Sequence, residues 1–200
     1  MNIVYDDSII VRGDNVKRVI FVEPIIENGE VIEEVFKKYN PDSSFVNPHI
    51  CLVFPFESDL STEIIDSIFQ KVLSKYKDFN INLNSLSISY EGNNNFLFLN
   101  VIDENNILKK ISEELYAYLG SNAKLKGVYT PHITIGKSKS IQEIESIHDI
   151  AANLLTGSFK AHITSIYSKI LLKDEHGNIS LKNEIVYDLS QKESKNINLN

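Results

Sequence analysis

The sequence predicts an α+β protein whose strands pair in antiparallel or mixed sheets. Helical and strand patterns alternate along the chain in the order β-α-β-α-β-β-α-β-α-β-β. Two pairs of strand patterns are separated only by turn segments, residues 91–94 and 173–178, which are typical of hairpins and require antiparallel neighbours. This combination favours an α+β fold over a doubly wound parallel sheet.

The first half of the chain contains two strand patterns and two helix patterns. The predicted elements are a strand over 16–24, a helix over 29–39, a strand over 49–54 and a helix over 61–77. Pro48 and Pro55 bound the second strand, because proline has no N–H to donate to a sheet. Asp59 or Ser61 is the expected N-cap of the second helix.

The second half contains more strands than helices. Strands are predicted over 79–90, 95–102, 131–137, 159–172 and 179–189, and helices over 106–119 and 141–155. Residues 79–90 alternate between apolar and polar side chains, as expected of a strand buried on one face. Gly120 ends the first of these helices.

These elements predict one bilobal domain over residues 17–189. An N-terminal extension, 1–16, precedes it, and a polar, flexible tail, 190–200, follows it. The extension is acidic, but the apolar residues 9–11 are suited to a strand. We expect this segment to cap either a sheet edge or a cleft.

Composition indicates a cytoplasmic globular protein. The chain is 42% hydrophobic and 24% charged, has one cysteine, and shows neither an apolar run long enough to span a membrane nor a secretory signal. A formal net charge of −7 argues against binding to long nucleic acid such as DNA. It is compatible with a small phosphate-bearing ligand or the end of an RNA strand. A monomer is favoured, and no cofactor is expected.

A short phrase that occurs twice is the strongest functional signal. Residues 47–53 read NPHICLV and residues 130–136 read TPHITIG. Each copy has a histidine after a proline and a small hydrogen-bonding side chain two positions later, namely His49 with Cys51 and His132 with Thr134. In a strand, positions two apart point to the same face. Two such copies, brought face to face, provide an acid/base pair and donors for an oxyanion, as phosphodiester chemistry requires.

Shared context makes this repeat more informative than the bare spacing. About 0.1 His-x-Thr pairs are expected at random in a chain of this composition, and the sequence contains His132/Thr134 and His162/Thr164. His49 and His132 both follow a proline and begin a short apolar strand, whereas His162 lies inside a longer one. The alternative is that both prolyl-histidines simply begin core strands.

Residues 131–137 (PHITIGK), together with residues 49–56 (HICLVFPF), resemble the motifs of the two-histidine (2H) phosphoesterase superfamily. Within it, the chain is similar to bacterial 2′-5′ RNA ligase-like proteins. The resemblance covers roughly 17–189 by motif order, motif spacing and element order. In the first motif Cys51 occupies the position where the family has threonine or serine.

The resemblance implies a two-lobed fold with the motif strands facing each other across a central cleft and helices outside. It implies metal-free chemistry on 2′,3′-cyclic phosphates, cyclic nucleotides or RNA ends. One of His49 and His132 acts as general base and the other as general acid, while Thr134 and Cys51 hold phosphate oxygens. Lys137 stands where the family has arginine or lysine, so it either contacts the phosphate or is a solvated strand-end lysine.

Cys51 leaves the activity open, because a thiol is a weaker hydrogen-bond donor than a hydroxyl. The main prediction is a 2H-type phosphodiesterase with a nucleotide or RNA-terminal phosphodiester as its substrate. One alternative is a nucleotide- or RNA-end-binding module that keeps the cleft and has lost turnover. Another is a scaffold domain without a phosphate site.

The remaining aromatic and histidine residues have structural explanations as well as functional ones. Phe56 and Tyr129 are expected either to stack on a base in the cleft or to pack, and Phe54 is expected in the core. Three further histidines are interpreted as surface or turn residues, namely His148, His162 and His176. No cysteine pair or His-x₃-His spacing predicts a metal site.

Overall fold

The computed structural model describes residues 12–125 and 127–196 and contains two five-stranded antiparallel sheets. In spatial order the first sheet consists of β10 (Glu193–Asn196), β9 (Ile179–Asp188), β8 (Ser165–Lys173), β1 (Arg12–Val22) and β3 (Ile50–Leu60). The second sheet consists of β2 (Ile25–Ile26), β7 (Ser158–Ile163), β4 (Phe79–Glu91), β5 (Asn94–Ile102) and β6 (His132–Ser138). The strands β3 and β6, which carry the two motifs, are therefore edge strands of different sheets.

Four α-helices cover these sheets. They are α1 (Glu30–Tyr39), α2 (Thr62–Leu73), α3 (Ile107–Leu119) and α4 (Ile141–Leu154). Each has apolar residues at helical spacing on the face that it buries, as in α3, where Leu108, Ile111 and Leu115 are buried. No helix in residues 12–125 and 127–196 is long and apolar enough to cross a membrane.

The helices link the two halves of the chain to each other. Helix α1 belongs to the first half but packs against β6 of the second sheet. Helix α3 follows β5 of the second sheet but packs against β3 of the first. One hydrophobic cluster consequently extends from β1 and β3 through the helices to β5 and β6, which holds the two motif strands in a common framework.

A buried ion pair ties the first sheet together. The Arg18 guanidinium donates to both carboxylate oxygens of Glu184 at 2.9–3.0 Å. The same carboxylate accepts hydrogen bonds from the Thr62 and Ser168 hydroxyls, and Arg18 also donates to Ser58. Since both charges are buried, these neutral partners are what make the pair tolerable.

The prediction of one continuous strand over 159–172 was wrong. This segment forms two strands, β7 and β8, which belong to different sheets and pair with β4 and β1 respectively. Thr164 separates them, and its carbonyl accepts a hydrogen bond from the Leu189 amide. The buried residues are Ala161 and Ile163 before this position and Ile166 and Ser168 after it, so the alternation shifts by one residue. The only sign of this shift in the sequence is the pair of adjacent polar residues, Thr164 and Ser165, between two isoleucines.

Three predicted boundaries also differ from the structure. The strand expected to stop before Pro55 continues as β3 to Leu60, because an edge strand tolerates a residue without an N–H. The helix predicted to residue 77 ends at Leu73. Part of the predicted flexible tail forms β10, which pairs with β9. Strand β1 begins at Arg12, whereas the expectation for residues 9–11 lies outside the described residues.

Candidate active site

The two motif histidines occupy equivalent places, one directly before β3 and the other at the start of β6. His49 Nδ1 lies 2.8 Å from the carbonyl oxygen of Asn47, and His132 Nδ1 lies 2.8 Å from that of Thr130. A carbonyl only accepts hydrogen bonds, so each Nδ1 carries a proton. Each neutral imidazole is therefore held in the tautomer that leaves Nε2 unprotonated, which is the form required of a general base.

An aromatic ring from the neighbouring strand supports each imidazole. The ring centroids of Phe21 and His49 are 4.9 Å apart, with a tilt of 51°. The ring centroids of Phe98 and His132 are 3.8 Å apart, and the two rings stack with an angle of 27° between their planes. Because each ring is held by a carbonyl on one edge and a phenyl face on another side, both imidazoles have a defined orientation.

The two motif copies also share a β-bulge at the same position. In each copy, two consecutive residues of the neighbouring strand pair with residues that lie two apart in the motif strand, so the motif strand has one extra residue between them. The pairs are Phe21 with Cys51 and Ile20 with Val53 in the first copy, and Phe98 with Thr134 and Leu97 with Gly136 in the second. The motifs are thus two copies of one local backbone structure, in which Cys51 and Thr134 are equivalent.

The bulge returns the residue five positions after each histidine to the outer face. In the second copy this residue is Lys137, whose Nζ lies 5.8 Å from the centroid of Phe96 and 3.9 Å from Asp42 Oδ2. In the first copy it is Phe54, which is 44% exposed. The prediction that Phe54 lies in the core was wrong, because it assumed uninterrupted alternation along β3.

Reciprocal hydrogen bonds connect the two copies. The hydroxyl of Tyr129, just before the second motif, donates to the carbonyl of Cys51 at 2.9 Å. The side-chain amide of Asn40, shortly before the first motif, donates to the carbonyl of Thr134 at 2.8 Å. β3 and β6 also contact each other directly. These contacts hold the two motif strands against each other, and the strands carry His49, Cys51, His132 and Thr134.

Phe56 and Tyr129, which were expected either to stack on a base or to pack, are packed in the structure. Only 7% of Phe56 and 5% of Tyr129 is exposed, and both belong to the central hydrophobic cluster. A second register shift in the pairing of β1 with β3, between Ile20 and Arg18, returns Phe56 to the buried face. The hydrogen bond to the carbonyl of Cys51 holds Tyr129 in place. Phe21 and Phe98 were not predicted at the site. In β5 phenylalanines alternate with leucines, but only the structure shows that the phenylalanines are half-buried and the leucines buried.

Burial lowers the pKa of His49 and of His132 below the ordinary value, because it disfavours the imidazolium. The hydrogen bonds to the backbone carbonyls oppose this effect. Glu23 also raises the pKa of His49, Lys169 lowers it, and Glu91 raises the pKa of His132. Without a bound anion, both imidazoles are therefore biased towards the neutral form.

His49 has an ion pair beside it. Lys169 Nζ lies 2.8 Å from Glu23 Oε1 and 4.9 Å from the centroid of Phe21. The other oxygen of Glu23 accepts a hydrogen bond of 3.3 Å from the side chain of Asn47, whose carbonyl holds His49. A carboxylate thus connects a lysine of β8 with the residue that orients the first histidine.

Cys51 is a neutral thiol in this setting. Burial raises its pKa to about 12, so it is protonated at neutral pH. Because the thiolate is the nucleophilic form of cysteine, a covalent role for this residue is disfavoured. What Cys51 offers a ligand is a weak S–H donor at the position that Thr134 fills with a hydroxyl.

The other histidines have local partners of their own. His162 lies on β7, with Nδ1 2.7 Å from Asn80 Oδ1 and Nε2 3.1 Å from Asp78 Oδ2. His148 lies beside Asp149, and His176 lies in the exposed turn between β8 and β9. Within residues 12–125 and 127–196, no group of three or more His, Cys, Asp or Glu residues is arranged to hold a metal ion.

Comparison with protein families gives a match over most of the chain. The family model described as the 2′-5′ RNA ligase superfamily matches residues 22–168. A Geobacillus kaustophilus protein named "Putative phosphoesterase" is 27% identical over 143 residues, 70% of this chain and 69% of that protein. A Bacillus cereus protein with the same descriptive name is 31% identical over 108 residues, 54% of this chain and 61% of that protein.

Solved structures confirm the predicted α+β fold class. Escherichia coli LigT complexed with 3′-AMP is similar with a TM-score of 0.58 at 12% identity, covering 89% of this chain and 100% of LigT. Kluyveromyces marxianus Usb1 with uridine monophosphate gives a TM-score of 0.51 at 10% identity, covering 84% of this chain and 97% of Usb1. At these identities the similarity is one of fold.

Proposed function

The chain belongs to the 2′-5′ RNA ligase superfamily, and on this premise we propose that it is a metal-independent phosphodiesterase with His49 and His132 as its acid/base pair. Its substrate class is a 2′,3′-cyclic phosphate, a cyclic nucleotide or an RNA-end phosphodiester. The observation that carries the proposal is the matched anchoring of the two imidazoles through Nδ1. This arrangement leaves both Nε2 atoms available for proton transfer.

In the proposed reaction the two imidazoles begin in different protonation states. The neutral imidazole takes a proton at Nε2 from water or a ribose hydroxyl, whose oxygen forms a new bond to phosphorus. The protonated imidazole gives its Nε2 proton to the leaving oxygen as the old P–O bond breaks. Hydrolysis of a cyclic phosphate then consumes one water and yields a phosphate monoester with a free hydroxyl. Proton exchange with solvent restores the two histidines.

Thr134 and Lys137 are the proposed phosphate ligands. Thr134 lies two residues after His132 and therefore on the same face of β6. Lys137 lies five residues after His132, and the bulge brings it to that face as well. A hydroxyl donor and an ammonium group stabilise the negative charge that grows on the non-bridging oxygens in the transition state. Cys51 occupies the matching position in β3 with a weaker donor.

Nucleotides bound to proteins of the same fold support this choice of ligand. The solved structures of LigT include complexes with 3′-AMP and with ATP, and one structure of Usb1 is with uridine monophosphate. A nucleotide or an RNA-terminal phosphodiester is accordingly the proposed partner of this chain.

A nucleotide- or RNA-end-binding module that has lost turnover is the second candidate. Cys51 favours it, because its protonated thiol replaces one of two equivalent donors. Losing a good oxyanion donor costs roughly 10²–10³ in rate. The two candidates share a ligand and differ only in whether a product forms.

Turnover of a substrate panel tests the proposal. The panel contains 2′,3′-cyclic nucleotides, cyclic dinucleotides and oligoribonucleotides ending in a cyclic phosphate, all measured in EDTA. We expect His49→Ala and His132→Ala each to lower turnover by roughly 10²–10⁴, as expected for loss of a general acid or base. His162→Ala is the matched control, because this histidine lies on a strand with polar partners of its own.

Loss of turnover in both motif variants, with His162→Ala unchanged, supports the phosphodiesterase. Ligand-dependent melting shifts without any product from the unsubstituted protein favour the binding module instead. Neither turnover nor binding of any panel member contradicts both candidates.

A further inference from the structure

A side-chain amide lies beside the second motif histidine. Asn100 of β5 is directly opposite His132 of β6, and side chains that are directly opposite in an antiparallel pair point to the same face of the sheet. The Asn100 oxygen accepts a hydrogen bond of 2.9 Å from the Ser87 hydroxyl, and its nitrogen donates one of 3.2 Å to the Ser85 hydroxyl. The amide is thus oriented next to the imidazole, although it has no part in the proposed proton transfers.

A β-bulge in β4 brings Ser85 to this amide. Two residues of β4, Asn84 and Ser85, lie opposite Asn100 alone. Ser85 has a φ of 63°, in the left-handed region that favours glycine because glycine has no Cβ. Glycine would form the same bulge with less strain, so the hydroxyl is what serine adds at this position. Strained residues of this kind concentrate at active sites and ligand clamps.

The Asn100 amide keeps hydrogen-bonding capacity for a ligand. A side-chain amide has two N–H donors and an oxygen with two lone pairs. Over residues 12–125 and 127–196, Ser85 and Ser87 are its only hydrogen-bond partners, so one N–H and one lone pair remain. An adjacent donor and acceptor are complementary to the edge of a nucleobase, which presents the same pair. Because the amide and both hydroxyls are uncharged, they suit the base of a nucleotide better than its phosphate.

On these observations we propose that Asn100, oriented by Ser85 and Ser87, contacts the nucleobase of a nucleotide whose phosphate lies at His132. Neighbouring strands are roughly 4.8 Å apart, so a phosphate on β6 and an amide on β5 lie within the span of one nucleotide. This inference rests on the proposed function, which supplies the position of the phosphate. It adds a residue that binds the part of the substrate away from the reacting bond.

Equilibrium binding tests the proposal independently of turnover. The probes are 3′-AMP, 3′-UMP and methyl ribofuranoside 3-phosphate, which has the sugar and the phosphate of a nucleotide but no base. We expect Asn100→Ala to weaken the binding of at least one nucleotide by roughly tenfold or more, as for the loss of a bidentate contact to a base. Its affinity for the base-free probe should stay unchanged. Titration calorimetry measures all three dissociation constants.

Ser85→Gly separates a role in binding from a role in folding. It removes the hydroxyl that orients Asn100 and relieves the positive φ. We therefore expect a melting temperature close to that of the unsubstituted protein, together with weaker binding of the same nucleotide that Asn100→Ala affects. If Ser85 served only the fold, nucleotide binding would not change in this variant.

Asn82→Ala is the matched control. Asn82 lies opposite Ile102, two residues beyond Asn100 on the same face of the sheet and further from His132. Its removal should leave the binding of all three probes unchanged.

Four results overturn the proposal: an equal loss of affinity for the base-free probe in Asn100→Ala, no loss for either nucleotide, an equal loss in Asn82→Ala, or no binding of any probe. A base-dependent loss in a protein that turns over no cyclic phosphate contradicts the phosphodiesterase and leaves this contact standing. Turnover that depends on His49 and His132, with nucleotide binding unaffected by Asn100→Ala, does the reverse.

Discussion

The two motif copies have the same backbone and carry different chemistry. Both anchor a histidine through Nδ1, support it with a phenyl ring and contain a bulge at the same place. The second copy adds a hydroxyl and a lysine, whereas the first presents a thiol and an exposed phenyl ring at the equivalent positions. The comparison teaches that the fold duplicates the anchored imidazole, while the stronger hydrogen-bond donors lie in the second copy.

The difference extends to the opposite face of the two sheets. Arg18 lies two residues before Ile20, and Asn95 lies two residues before Leu97, so both buried polar side chains hold equivalent positions. Arg18 belongs to the ionic network of Glu184. Asn95 makes a neutral hydrogen bond to the carbonyl of Ser138. Equivalent positions are thus satisfied by a charged network in one half and a neutral contact in the other.

The largest expected effect is on stability, in the first half. Glu184→Ala leaves the buried Arg18 guanidinium without its carboxylate, and we expect a loss of about 3–5 kcal/mol in the free energy of unfolding. Asn95→Ala leaves one backbone acceptor unpaired, and we expect a smaller loss of about 1–3 kcal/mol. Urea denaturation measures both. A loss for Asn95→Ala equal to or larger than that for Glu184→Ala would contradict this account of the two halves.

The second expected effect is on rate, and it tests the asymmetry between hydroxyl and thiol. Thr134→Val replaces the hydroxyl donor with a methyl group of similar shape, and we expect turnover to fall by roughly 10²–10³. Cys51→Ala removes only a weak donor and should lower turnover much less. Cys51→Thr installs the hydroxyl that the equivalent position has, and turnover should rise.

Steady-state kinetics on one cyclic nucleotide measures the three variants, with thermal melting to confirm that each is folded. Equal losses for Thr134→Val and Cys51→Ala would mean that the thiol serves as well as the hydroxyl. A Cys51→Thr variant that is folded but no faster would show that the first copy does not limit the reaction.

Much of the fold could be predicted from sequence because its determinants are local. The periods of α1 to α4 and the alternation in β4 are visible in the residues themselves. The repeated prolyl-histidine predicted two equivalent sites, and the structure anchors both in the same way. The passage of the chain from one sheet to the other at Thr164 was missed, because sheet membership depends on partners distant in sequence.

The bulges explain most of the remaining errors at the site. A strict period of two along β3 places both Phe54 and Phe56 inwards, on the face of Ile50 and Leu52. The bulge after Cys51 turns Phe54 outwards, and a second register shift, opposite Arg18 and Ile20 of β1, keeps Phe56 inwards. The phenyl rings under the imidazoles depend on the registers of β1 with β3 and of β5 with β6, which no single segment reveals. Lys137 lies on the outer face of β6 for the same reason.

The smallest expected effect is on pH dependence, and it separates the two histidines. One imidazole must be neutral and the other protonated, so kcat/KM should be bell-shaped. Burial lowers the pKa of both histidines, so we expect the optimum of the free enzyme at or below about pH 6.5, the ordinary imidazole value. A pH series on one cyclic nucleotide checks this, and an optimum well above that value would contradict the pKa directions.

Removing one carboxylate near each histidine then assigns the roles. Glu23 raises the pKa of His49, so Glu23→Gln should lower that pKa, while Lys169→Met should raise it. If His49 is the base, it must be neutral, and the acid-side limb moves to lower pH in Glu23→Gln. If it is the acid, it must be protonated, and the alkaline limb moves instead. Glu91→Gln acts on His132 and should move the opposite limb. Movement of the same limb in both carboxylate variants would show that these limbs do not report two histidines with different roles.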